Sequence, residues 1–149
     1  MNKGLYVLSP DRPDRQGGSH PDAIGVYGML PPLPGVDQGI AKATMESMMK
    51  DGRNLCWGWD FPWMAMAAAR HGEPKMAVEA LLHLSPTNSY DQRGVCRGGP
   101  CPYLPGNGGL LYTVAMMAAG WDGAPRQHAP GFPNDGSWVV NWEGLKPAP

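Results

Sequence analysis

The chain has 149 residues, with 12 basic and 13 acidic side chains and a formal net charge of -1. That is the size of one domain, able to bury roughly two-thirds of its unfolded surface, and the balanced charge leaves no cationic footprint for nucleic acid or an anionic membrane. Gly (21) and Pro (17) approach the level at which disorder becomes a reasonable prior, but 6 Trp, 5 Tyr and 10 Met, with the glycines and prolines at the ends of apolar segments, read as a folded helical protein.

Residues 1–18 hold Leu5-Tyr6-Val7-Leu8, a short strand or extended segment, and then a polar run rich in turn formers. No run reaches the ~18 apolar residues of a membrane span, and the first residues lack the apolar core of a signal peptide, so the expectation is a soluble chain of unassigned compartment. From Ser19-His20-Pro21-Asp22 the pattern turns helical, with Ile24 and Tyr27 at helical spacing and Gly25 and Gly28 letting a neighbour approach, until Pro31-Pro32-Leu33-Pro34 ends it. Asp37 caps a second helix to about Lys50. Ile40, Thr44, Met48 and Ala41, Met45, Met49 form its adjoining inward rows, Lys42, Glu46 and Lys50 lie opposite, and Gly52 stops it.

The run from Asn54 to Arg70 begins as a loop bearing Trp57, Trp59 and Asp60 and becomes a helix, Phe61 to His71, whose Met64–Ala69 stretch is apolar all round. Asp60 is placed to cap its first N–H groups and Pro62 fits the first turn. A helix with no polar stripe must be covered on every side. After Gly72-Glu73 comes a fourth helix, about Pro74 to Leu84, and so short a connection makes the two antiparallel neighbours. A long loop, 85–105, carries Asn88, Tyr90, Asp91, Arg93 and Tyr103. Asn107 then opens a fifth helix, apolar nearly all round, followed by Trp121-Asp122-Gly123 and a Pro/Gly-rich segment with a short hairpin that uses Trp138-Val139-Val140-Asn141-Trp142 as one strand.

Burial alternates inner, outer, inner, outer, inner, so the three inner helices share a direction and their N-termini gather at one end. His20, Trp57, Trp59, Asp60, Tyr103 and Asn107 enter those helices, where free N–H donors and partial positive charge also collect. Trp57 and Trp59 suit stacking on pyranose rings or plugging the end of the bundle, while Trp63 reads as core. Asp60 is the candidate catalytic carboxylate, although capping alone explains it. A glycosidic pair needs a partner roughly 6–9 Å away for inversion or about 5 Å for retention, and Asp22 and Asp91 are the candidates. Asn107 either bonds a sugar hydroxyl or holds a loop, His20 faces the same mouth, and Tyr90 and Tyr103 are rim candidates. The Met rows read as core. Cys96 and Cys101 could bridge in an oxidising compartment or stay as thiols like Cys56. The histidines are too scattered for zinc, so neither metal nor cofactor is expected.

Five stretches, SHPDAIGVYGMLP, WGWDFPWMAMAAARHGEPKMAVEALL, Asn88-Ser89-Tyr90, PYLPGNGGLLYTVAMMAAGWDG and GFPNDGSWVVNWEGLKPAP, together resemble the C-terminal part of the six-hairpin (α/α)6-barrel glycosidases, the group that includes glycoside hydrolase families 65 and 95. The resemblance implies an all-α fold, a partial toroid of antiparallel helical hairpins over 19–123, between an extended segment at 1–18 and the hairpin-bearing segment at 124–149. It implies hydrolysis of a glycosidic bond as the parent reaction, a carbohydrate substrate, and a cleft at the N-termini of the inner helices bordered by His20, Trp57, Trp59, Tyr90, Tyr103 and Asn107. It departs at one position, because family-95-like enzymes carry Asp-Gly-Asn where this chain has Pro105-Gly106-Asn107. With that carboxylate gone, the expectation is a glycosidase segment without a complete acid–base pair, or a non-catalytic sugar-binding remnant. Its open edges would be covered by the rest of the barrel or by self-association.

Overall fold

A computed structural model describes residues 4–7, 11, 20–51 and 56–149. The polar loop at 12–19 and the helix stop at Gly52 lie outside the described residues. The described chain is all-α in character: a 3-10 helix, Asp22–Val26, then α1 (Gln38–Asp51), α2 (Asp60–Arg70), α3 (Pro74–Leu81) and α4 (Leu104–Ala119). Among the described residues there is no sheet, only isolated bridges between Tyr90 and Cys96 and between Trp121 and Ala148. None of the described helices is long and apolar enough to cross a membrane.

The Asp37 carboxylate accepts the Ile40 N–H at 2.9 Å and starts α1. Ala41, Thr44, Met45, Met48 and Met49 are buried, and Glu46 and Lys50 are exposed. Thr44 survives on the buried row because its hydroxyl donates to the Ile40 carbonyl and accepts the Tyr6 N–H at 2.9 Å. That contact lays residues 5–7 across α1 as an extended segment rather than a paired strand.

α2 is the centre, packing against α1, α3, α4 and the 3-10 helix. Ala65, Ala67, Ala68 and Ala69 are all buried, and small side chains let neighbours close in. It ends in a Schellman motif: Gly72, at φ +77°, donates to Ala69, and Glu73 donates to Ala68. α3 runs back until His83 stacks on Phe61 at 5.6 Å. It stops at Leu81, three residues before the predicted end, because the Asn88 amide takes the Leu81 and His83 carbonyls.

Cross-contacts fix the directions. Gly109 of α4 abuts Pro62 of α2, while at the far end the guanidinium of Arg70, the last residue of α2, lies over the ring of Trp121, just past α4. His20 meets Asp60, Gly25 faces Trp63, Gly28 faces Ala67, and the Tyr27 hydroxyl donates to the Arg70 carbonyl. The 3-10 segment, α2 and α4 therefore run the same way and start at one end, as the alternation of burial predicts.

Three expectations are corrected. The first helix is only a 3-10 segment: a Cβ on Gly25 would stand 2.6 Å from the Trp63 ring, so the chain lies too close to α2 for a full α-helical turn of side chains. The predicted strand at 138–142 has no ladder. It is fastened instead by Trp138 packing on Phe132 at 5.7 Å and by His128 Nε2 at 2.7 Å from the Val140 carbonyl. α4 is covered on one side only: Thr113, Met116, Met117 and Ala118 are buried, but Leu104, Leu111 and Val114 are exposed, Leu111 by 72%. Nothing in the described chain supplies a second layer there.

Candidate functional site

The chain enters α2 through Cys56-Trp57-Gly58-Trp59-Asp60. Asp60 does not cap the helix. It is the first helical residue, after Trp59 as the flanking position, and Pro62 has no N–H to offer. Its carboxylate turns back instead, Oδ2 accepting the Trp57 N–H at 2.7 Å and lying 2.9 Å from His20 Nδ1. Asp60 is fully buried, and Oδ1 has no hydrogen-bond partner. Burial pushes its pKa above the usual carboxylate value, with His20 and the Trp57 N–H pulling the other way and Asp22 adding a small upward push.

Over this carboxylate lies an aromatic mouth. The His20 side chain is 24% exposed, with Trp57 and Trp59 edge-on to its ring at 5.5 and 5.3 Å. The Trp59 indole N–H is 3.2 Å from His20 Nδ1. Trp57 is 38% exposed and meets Tyr103 edge-on at 5.9 Å, while Trp63 lies behind Trp59 at 5.6 Å. The structure thus brings together His20, Trp57, Trp59, Asp60 and Tyr103.

Asn107 and Tyr90 sit just behind, bracing the loop that closes this end. Asn107 Oδ1 accepts the Cys96 N–H at 2.9 Å and its amide donates to the Gly94 carbonyl. The Tyr90 hydroxyl donates to the Gly106 carbonyl at 3.4 Å, and burial beside Cys96 pushes its pKa up to about 12. The loop then crosses the α2 entrance, where the Gly58 N–H donates to the Gly98 carbonyl at 2.8 Å. Asp91, one candidate partner for Asp60, is held by Arg93 and Arg97 at 2.9 and 2.8 Å, which keeps its carboxyl well below the usual range. None of the three cysteines is in a disulfide, so the Cys96–Cys101 bridge is not formed.

Two features escape the sequence reading. Arg70 is buried between the Tyr27 and Trp121 rings, its only sequence signal being a lone charge ending an apolar helix. An apolar groove of about 500 Å³ runs between Leu82 of the α3 end, Leu110 and Val114 of α4, and Trp138 and Val139. Its parts lie in three distant stretches with no shared motif. No family model, curated protein or solved structure matches the chain.

Proposed function

We propose that the chain is a segment of a glycoside hydrolase-like (α/α) toroid and that its aromatic mouth binds a saccharide. The observation that carries this reading is the convergence of His20, Trp57, Trp59 and Tyr103 over Asp60 at the end where three parallel segments begin. Indole faces suit the C–H faces of pyranose rings, and the indole and imidazole nitrogens suit hydroxyl groups. Hydrolysis of a glycosidic bond is the parent reaction of the complete toroid. The exposed face of α4 is the edge that further hairpins, or a second copy, would cover.

A non-catalytic sugar-binding role for the chain on its own is favoured by two observations: Asp60 is fully buried, and Asp91 is held between two guanidinium groups. Tryptophan fluorescence titrations with glucose, galactose, maltose and cellobiose test the reading. Saturable quenching is expected, weakened about tenfold or more, ~1.4 kcal/mol, in Trp57→Ala and Trp59→Ala. Absence of binding to every sugar overturns it, and release of reducing sugar by the chain alone would overturn the non-catalytic role.

A further inference from the structure

Asp60 has no exposed surface, so no ligand can touch it, whereas the His20 side chain is 24% exposed. One imidazole nitrogen is turned inward: Nδ1 lies 2.9 Å from Asp60 Oδ2 and 3.2 Å from the Trp59 indole nitrogen. A nitrogen that donates to the carboxylate cannot also accept from the indole, so these two contacts compete. The carboxylate contact is the shorter one, and hydrogen bonds to an ionised acceptor are roughly twice as strong as neutral ones. Nδ1 therefore carries the proton. The unprotonated nitrogen is then Nε2, the one not held against the buried carboxylate.

We propose that Asp60 is a positioning residue that fixes His20 in the Nδ1–H tautomer, so that Nε2 accepts from a hydroxyl of a neutral saccharide. A saccharide hydroxyl can donate, and an unprotonated Nε2 is the acceptor it needs. The inference rests on the sugar-binding reading and adds to it which ionisable group meets the ligand, and in which form. The second carboxylate oxygen, buried and unpartnered, fits a group retained for orientation rather than for packing.

The test has two independent readouts. Long-range proton–nitrogen spectra of the ¹⁵N-labelled chain in mildly alkaline buffer, assigned with His20→Gln, read the tautomer directly. Nδ1–H is expected, and Nε2–H in the unmodified chain overturns the proposal. In Asp60→Leu no carboxylate faces Nδ1, the Trp59 N–H becomes its donor and the proton moves to Nε2, the wrong-tautomer outcome. Affinity for maltose or cellobiose is then expected to fall about tenfold or more, with Nε2–H in the spectrum of the variant itself. An Asp60→Leu variant that keeps Nδ1–H, or that binds as tightly as the unmodified chain, overturns the proposal as well. If the unmodified chain binds none of the sugars, the functional reading fails with the hydroxyl contact, and the spectrum by itself still decides whether Asp60 sets the His20 tautomer.

Discussion

Arg70, at the end of α2, donates from Nε to the Gly28 carbonyl at 2.5 Å, tying the segment after the 3-10 helix to the central helix at the pole opposite the mouth. Its Nη2 donates to the Pro149 carbonyl at 2.6 Å, and burial lowers the guanidinium pKa. Truncation would leave two carbonyls unsatisfied and a gap between Tyr27 and Trp121. Arg70→Ala is expected to cost about 2–4 kcal/mol, read from urea unfolding monitored by circular dichroism.

His71 lies edge-on to Tyr27 at 4.7 Å, and burial, reinforced by Lys42, lowers its pKa to about 4. The unfolded chain binds this proton more tightly than the folded one. The associated stability is therefore complete above the unfolded value near 6.5 and is lost as pH falls toward 4, on the order of 3 kcal/mol in all. Unfolding curves across that window should show the loss, and His71→Phe should remove most of it.

Asp60 has the opposite sign. Its folded pKa is raised, so the folded chain holds the proton more tightly, and the contribution present at acid pH is lost as pH rises from the ordinary carboxyl range through the folded value. Asp60→Asn should unfold at a temperature equal to or above that of the unmodified chain at neutral pH. A group kept at a stability cost fits a functional role.

Gly98 crosses the α2 entrance so closely that a Cβ would collide with the Thr87 carbonyl and stand 2.6 Å from Gly58 Cα. Gly98→Ala should destabilise by about 1–3 kcal/mol. Because Gly58 lies between Trp57 and Trp59, the same change should weaken saccharide quenching, whereas Gly108→Ala in α4, with open space at its Cβ position, should leave quenching unchanged.

The uncovered apolar face gives a prediction about association. Leu82 and Val139 are exposed around one groove, Val139 by 86%, and Leu111 is exposed on α4, which lines that groove with Leu110 and Val114. Sedimentation velocity of the chain alone should show concentration-dependent association. The pair Leu82→Lys and Leu111→Lys should abolish it and leave sugar binding intact, since neither residue lies at the mouth.

The sequence by itself determined where α1, α2 and α3 lie and which rows of α1 are buried. Asp37 with the Ala41–Met45–Met49 row defines α1, the polar-free Met64–Ala69 run makes α2 central, and Gly72-Glu73 forces the α2–α3 turn. These are local matters of capping and periodicity, and the shared direction of the 3-10 segment, α2 and α4 follows from the alternation of burial. What only the tertiary structure decided is where side chains from distant stretches meet. Asp60 turns back onto His20, forty residues away, rather than capping its own helix. Trp138–Trp142 stays unpaired because Phe132 and His128 hold it. α4, as apolar as α2, is left half open. Periodicity states how much of a helix needs covering, but only the packed chain shows which neighbours are there to cover it.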